Sequence, residues 1–133
     1  MERGCRRGNL ALVAAFLAPK IVSGQTMWQV TSGSTYCQLT NGGSCVTEGS
    51  GNHGNNERCT IRALVALYAT ATAFNVEYQS NCNWDRIQIG STRYCGTTGP
   101  NNVYMPARSM MTWRSDSTTT RSGWTICGTA FAA

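Results

Sequence analysis

The side chains of this chain that could take part in chemistry are few, because only 13% of its 133 residues are charged. It contains six acids, one histidine (His53) and seven cysteines. The most informative stretch is residues 74–89, where one apolar segment ends at Glu77 and Trp84-Asp85 opens the next. Carboxylates are the oxygen ligands that a hard cation such as Ca²⁺ prefers, so these acids are the first candidates for a binding site.

A hydrolytic site built on His53 is not expected. A catalytic triad needs a base held by a carboxylate and a nucleophile within its reach, whereas His53 lies in a Gly/Asn-rich turn with no nucleophile motif. We therefore expect His53 to be an exposed turn residue and the protein not to be an enzyme.

The cysteines indicate disulfides rather than a zinc site. Six of them follow residue 24, at successive separations of 8, 14, 23, 13 and 32 positions, which do not provide the paired close ligands that zinc prefers. A bridge from Cys82 to Cys95 would close a short loop worth about 3 kcal/mol. The spacing alone leaves the pairing of the other four open: Cys37, Cys45, Cys59 and Cys127.

The N-terminus has the pattern of a secretory signal peptide. A basic start is followed by an apolar stretch from Leu10 to Pro19 and by small residues near Gly24. We expect cleavage after Gly24, which leaves seven arginines and five acids, a net charge of +2. The arginines are scattered in the sequence and predict no basic stripe, so nucleic acid is not an expected partner. No apolar run approaches the roughly 20 residues that span a bilayer.

Short strands must position these residues. Turn-forming clusters such as residues 41–44 and 96–102 recur between short β-prone segments, which favours an all-β sandwich or barrel. Residues 61–68 disagree, because their apolar spacing taken alone predicts an amphipathic helix. Residues 70–77 alternate in the manner of a strand, and we assign the whole stretch to strands.

Several motifs then occur in a recognisable order. They are Asn-Asn-Glu-Arg-Cys-Thr-Ile at 55–61, Phe-x-Val-Glu at 74–77, Cys-Asn-Trp-Asp-Arg-Ile at 82–87, Tyr-Cys-Gly at 94–96, Trp-Arg-Ser-Asp at 113–116 and Gly-Trp at 123–124. In this order and spacing the chain resembles a CUB domain, an extracellular module. The resemblance implies a disulfide-stapled, jelly-roll-like antiparallel β-sandwich over residues 37–133. Residues 25–36 would then be an N-terminal extension, with Trp28 exposed ahead of the domain.

The resemblance also implies a calcium site. Many CUB domains bind one Ca²⁺ through acids that match Glu77, Asp85 and Asp116 by position. The family's supporting tyrosine is missing, and His53, which lies near its place, is a poor substitute as an oxygen ligand. We therefore expect weak calcium binding, with a dissociation constant of about 10⁻⁴ to 10⁻³ M.

The resemblance further implies the pairs Cys37–Cys59 and Cys82–Cys95. This leaves Cys45–Cys127 to tie the early chain to the last strand. The alternative is Cys45–Cys59 with Cys37–Cys127.

These expectations favour a secreted binding module whose acidic edge, formed by the three acids and flanked by Trp84, recognises a lysine or arginine of an extracellular protein. A glycan is the alternative partner, because Trp84, Trp113 and Trp124 could form a sugar-stacking platform, although strand tryptophans more often pack in the core. The alternative function is a self-associating subunit of an extracellular filament or coat, in which residues 25–36 pair with a neighbour's sheet edge.

Overall fold

The computed structural model describes residues 25–130, and the predicted signal peptide at residues 1–24 lies outside them. This part of the chain contains ten strands and a short 3-10 turn at Asn41–Gly43. The strands are β1 (Trp28–Ser32), β2 (Gln38–Thr40), β3 (Cys45–Thr47), β4 (Arg58–Ala63), β5 (Leu67–Asn75), β6 (Arg86–Ile89), β7 (Thr92–Tyr94), β8 (Val103–Met105), β9 (Met110–Arg114) and β10 (Gly123–Ala130). The all-β prediction is confirmed. No helix of the described residues is long and apolar enough to cross a membrane.

The strands form two antiparallel sheets of five strands each. Sheet I has the order β1-β4-β9-β6-β7, and sheet II has the order β2-β3-β10-β5-β8. The sheets share one core, in which the rings of Trp113 (sheet I) and Trp124 (sheet II) are 5.8 Å apart at an interplanar angle of 65°. Both indoles are almost completely buried, so they are core residues and not part of a sugar platform.

Residues 61–68 form the end of β4 and the start of β5 rather than a helix. Ile61 and Leu67 are both fully buried, but they lie on opposite sides of a tight connection in which Leu64 is exposed. β4 has hydrogen-bonded neighbours on both sides, β1 and β9. This pairing outweighs the local helical spacing, which arises from two inward-facing strand segments that are close in sequence.

The segment 25–36 is part of the sandwich. β1 is the edge strand of sheet I, and Trp28 pairs with Ala63 of β4. The expectation that Trp28 is exposed is wrong, since the side chain is fully buried and its indole N–H donates to the Ser44 carbonyl at 3.0 Å. A large aromatic ring with a satisfied N–H is more stable inside the core than in water.

The three disulfides have the pairing that the resemblance implies. Cys37–Cys59 joins the segment before β2 to β4 of sheet I, and Cys82–Cys95 joins the β5–β6 loop to the end of β7. Cys45–Cys127 links two directly opposed positions of the neighbouring strands β3 and β10, 82 residues apart in sequence. The alternative pairing, Cys45–Cys59 with Cys37–Cys127, is excluded.

Candidate cation site at one end of the sandwich

The three predicted acids come together at one end of the sandwich. Glu77 follows β5, Asp85 immediately precedes β6, and Asp116 follows β9. One carboxylate oxygen from each lies within 4.8 Å of the others. Three segments that are distant in sequence therefore present a compact set of oxygen ligands, the kind of donor that Ca²⁺ takes.

Asp85 holds this cluster together. Its side chain is fully buried, and Oδ1 accepts the backbone N–H of Asp116 at 2.9 Å while Oδ2 accepts that of Glu77 at 3.4 Å. Burial by itself raises the pKa of Asp85, but hydrogen bonds from His53 and from the Asp116 amide outweigh it, so the pKa lies below its usual range. Asp85 is therefore ionised and fixes the backbone positions of the other two acids.

The environment of Glu77 shifts its pKa in the opposite direction. Partial burial raises its pKa, and the nearby carboxylates of Asp116 and Asp85 raise it further. Its Oε1 atom is shielded from solvent and has no hydrogen-bond partner. A divalent cation among the three carboxylates would remove both costs, since it would neutralise the repulsion and occupy the free oxygen. The donor set therefore fits a calcium ion.

His53 is buried, not exposed as expected from its turn. Only 2% of its surface is accessible. The Nδ1 atom is 2.8 Å from the Gly54 carbonyl, to which it donates, and Nε2 is 3.3 Å from Asp85 Oδ2. The ring also meets Trp113 edge-on, with centroids 5.2 Å apart. A histidine can be buried here because each of its ring nitrogens has a polar partner.

The protonation state of His53 is set by two competing partners of Nε2. The backbone N–H of Arg121 donates to this atom at 3.2 Å, which requires the neutral ring, whereas a bond to Asp85 requires a proton on Nε2. Burial lowers the pKa of His53, but the contacts with Asp85 and with the Gly54 carbonyl raise it more, so the pKa lies above its ordinary value. His53 thus supports Asp85 at Oδ2, the oxygen that also accepts the Glu77 amide.

Two residues that the sequence does not single out support the same end. Glu57 is buried and accepts the Trp113 indole N–H at 3.0 Å and the Gly54 amide at 2.7 Å. The hydroxyl of Ser115 donates to the Gly54 carbonyl at 2.8 Å and accepts the Glu57 amide at 2.9 Å. These bonds fix the loop that carries His53 to the end of β9. Both residues lie in motifs of the resemblance, at 55–61 and 113–116, but neither motif indicates this role.

A second buried acid, Glu48, packs against β10. Its Oε1 accepts the Trp124 amide at 2.9 Å, while Oε2 has no partner. Gly123, with φ of +90°, lies so close to this carboxylate that no Cβ would fit. Burial raises the pKa of Glu48, and the nearby Glu57 adds to the rise. Glu48 is outside the candidate cation site.

Trp84 is exposed, in contrast to Trp113 and Trp124. It retains 46% of its surface accessible and stands immediately before Asp85 in the chain. The core-packing alternative therefore does not hold for this tryptophan, and its position beside the acids fits a ligand contact.

The arginines next to these acids do not pair with them. Among residues 25–130 the ion pair between oppositely charged groups is that of His53 with Asp85, and no arginine there joins it. Successive residues of an extended chain point to opposite sides. Asp85 is therefore directed inward and Arg86 outward, and in the same way Glu57 is directed inward and Arg58 outward. Ion pairs with neighbouring arginines therefore do not neutralise these acids.

Comparison with known proteins adds no family to this description. Neither the protein-family models nor the curated proteins searched contain a match to the chain.

Proposed function

We propose that the protein is a secreted, non-catalytic CUB-like binding module that recognises an extracellular protein through a calcium-organised acidic edge. The observation that carries this proposal is the convergence of Glu77, Asp85 and Asp116 within 4.8 Å. Three disulfides and the absence of a membrane-spanning helix in the described residues are compatible with an extracellular location.

In this proposal Glu77, Asp85 and Asp116 hold the cation, whose chemistry is charge neutralisation and cross-linking of three loops. Asp85 keeps the backbone amides of the other two acids in place, and His53 holds Asp85 through its Oδ2 atom. The half-buried carboxylates of Glu77 and Asp116 remain accessible enough for a partner's lysine or arginine to form a charge-assisted hydrogen bond. Trp84 offers apolar area beside that contact.

A non-catalytic role is supported by the environment of His53. The serine nearest in the hydrogen-bond network is Ser115, whose hydroxyl is engaged with Gly54 and Glu57. His53 itself is directed at Asp85 and at backbone groups. No base–nucleophile pair of the kind that covalent catalysis needs is formed by these residues.

Calorimetric titration with Ca²⁺ tests the proposal. We expect a dissociation constant of about 10⁻⁴ to 10⁻³ M for the unaltered protein and at least roughly tenfold weaker binding for Glu77→Gln or Asp116→Asn, each of which removes one charged ligand. Calcium at ten times the dissociation constant should raise the free energy of unfolding by about 1.4 kcal/mol. These variants are preferable to Asp85→Ala, which also removes backbone contacts.

Glu48→Gln is the matched control, because it removes a buried acid outside the cluster. Its calcium affinity should equal that of the unaltered protein. Lack of binding up to several millimolar Ca²⁺, or an equal loss in Glu48→Gln and Glu77→Gln, would contradict the cation site.

The alternative, a self-associating structural subunit, stays a prediction. β1, in the segment expected to reach a neighbour, pairs with β4 of its own chain and lies at the edge of sheet I. Size-exclusion chromatography and electron microscopy separate the two functions, since filaments would favour the structural role and a monomer that responds to calcium would favour the binding module.

A further inference from the structure

Positively charged residues are concentrated on the outward-facing side of sheet I. Alternation along its strands places apolar residues such as Ile87 and Trp113 in the core and sends their neighbours outward. Five of the seven arginines of the described chain lie on this outer face, and none of the five strands of sheet I contains an acid. These arginines are Arg58, Arg62, Arg86, Arg93 and Arg114.

Three of these arginines form a row across neighbouring strands. Arg114 of β9 is directly opposite Arg58 of β4 on one side and opposite Arg86 of β6 on the other. With strands about 4.8 Å apart, the row is about 10 Å long. Burial lowers the pKa of the Arg86 guanidinium, and Arg93, Arg114 and Arg58 lower it further. Like charges at opposed positions destabilise a sheet, so other interactions of the fold must offset the repulsion within the row.

Neutral hydrogen-bond acceptors orient the arginines of the row. Arg58 Nη1 donates to the carbonyls of Glu57 at 2.9 Å and Ser115 at 2.8 Å. Arg86 donates from Nε to Gln88 at 3.3 Å and from Nη1 to the Asn83 carbonyl at 3.2 Å. These bonds orient the guanidinium groups without neutralising them, which leaves their charge for a ligand.

A cleft of about 240 Å³ opens among the three arginines. Its remaining walls include the hydroxyl residues Thr60 and Thr112. The Nε atom of Arg114, one of the residues that line this cleft, is shielded from solvent and has no hydrogen-bond partner. A desolvated N–H without an acceptor is costly, and an oxyanion beside the Arg114 guanidinium would offset that cost and relieve the repulsion of the row.

The chemistry of the face indicates the class of ligand. Arginine binds planar or tetrahedral oxyanions through two N–H groups at once, and this face contains no lysine. Single-stranded nucleic acid would require aromatic rings for base stacking, but the outward positions between the arginines are threonine, glutamine and methionine. A sulfated sugar needs no such rings. Several charges spread over about 10 Å also suit a polymer with repeated anionic groups better than a single ion.

We propose that the outer face of sheet I binds a sulfated polysaccharide, with one sulfate group held among Arg58, Arg86 and Arg114. Arg93, opposite Gln88, and Arg62, opposite Met110, both lie beyond this row in the same direction along the strands and extend the positive surface that way. The inference does not depend on the cation site, which uses side chains of the opposite orientation.

Fluorescence or calorimetric titration with heparin, as a function of salt, tests the proposal. The double variant Arg86→Gln/Arg114→Gln should bind heparin about 10- to 100-fold more weakly. Its slope of log affinity against log salt should be shallower by roughly 1 to 2. The matched control is Arg108→Gln/Arg121→Gln, which removes the same charge from exposed loops and should change the affinity less than about threefold.

Thermal unfolding distinguishes a lost site from a lost fold. Because the row is self-repulsive, the row variant should unfold at the same or a higher temperature than the unaltered protein while binding heparin less. Equal binding of heparin and chemically desulfated heparin would overturn the proposal, as would equal losses in the two double variants. Tighter binding of a poly-dT oligonucleotide than of heparin would assign the face to nucleic acid instead.

Discussion

The acidic end and the arginine row both crowd like charges, but they are stabilised in different ways. Around Asp85 the negative charge is enclosed by backbone amides of Glu77 and Asp116 and by His53. The arginine row has only neutral carbonyl and amide acceptors, and all three of its members keep part of their surface in contact with water. Asp85 is thus compensated internally, whereas the charge of the row is left for solvent or a ligand.

This difference follows from strand alternation at the same end of the molecule. Asp85 and Arg86 are adjacent in sequence, yet one faces the core side and the other the outer side of sheet I. A buried charge must be matched by dipoles or opposite charge, while an exposed charge is matched by water. Mutations on the two sides should therefore have opposite effects on stability.

The largest expected effect is that of Asp85→Ala. Removing this carboxylate leaves two amides and a buried histidine without their acceptor, and we expect a loss of about 3 to 5 kcal/mol in the free energy of unfolding. Urea unfolding at pH 7 in the presence of a chelator measures it. The matched variant Asp116→Ala removes a half-buried carboxylate with one long local bond, to the Thr118 amide, and should cost less than about 1 kcal/mol. Equal losses would contradict the central role of Asp85.

Glu48 and Asp85 should give opposite pH dependences. The pKa of Glu48 is raised in the folded protein by burial, so its stabilising contribution is present below its unfolded value of 4.5 and is lost as the pH rises through the folded value. The pKa of Asp85 is lowered despite burial, by His53 and the Asp116 amide, so its contribution is present above 3.8 and is lost as the pH falls.

Glu48→Gln should accordingly stabilise the protein at pH 7, by about 1 kcal/mol, because it removes a charge that is buried beside Glu57. The gain should disappear below about pH 4, where Glu48 is protonated. Urea unfolding at several pH values measures both. A gain that persists unchanged at pH 3.5 would show that it does not come from ionisation of Glu48.

The smallest expected effect is that of a single change in the arginine row. Arg114→Gln should raise the free energy of unfolding by about 0.2 to 1 kcal/mol, since Arg114 lies opposite both Arg58 and Arg86. The gain should shrink in 1 M salt, which screens exposed charges beyond about 3 Å. Arg108→Gln, in an exposed loop, should have no such salt-dependent effect. A destabilised Arg114→Gln would contradict the repulsive row.

Much of the fold was predictable because it rests on local signals. Short alternating segments between turn residues predict strands, and the resemblance based on the motif order from Phe74 to Trp124 predicts the acids that meet. Two residues were misjudged, Trp28 and His53. Trp28 was misjudged because its partner in the neighbouring strand β4 is Ala63, 35 residues later in the chain. His53 was misjudged because a Gly/Asn-rich turn looks exposed in sequence, whereas its hydrogen-bond partners Asp85 and Arg121 come from remote segments.

The sequence by itself determined the class of fold and the number of cysteines available for bridges, because each depends on residue type and short-range spacing, and its resemblance to a family implied the candidate ligands. Only the tertiary structure decided which charges share a surface. Seven arginines look scattered along the chain. Five of them lie on one face of the folded protein, because antiparallel pairing sets the register of β4, β9, β6 and β7. Register is a long-range property, and a shift of one residue would exchange the inner and outer sides of a strand.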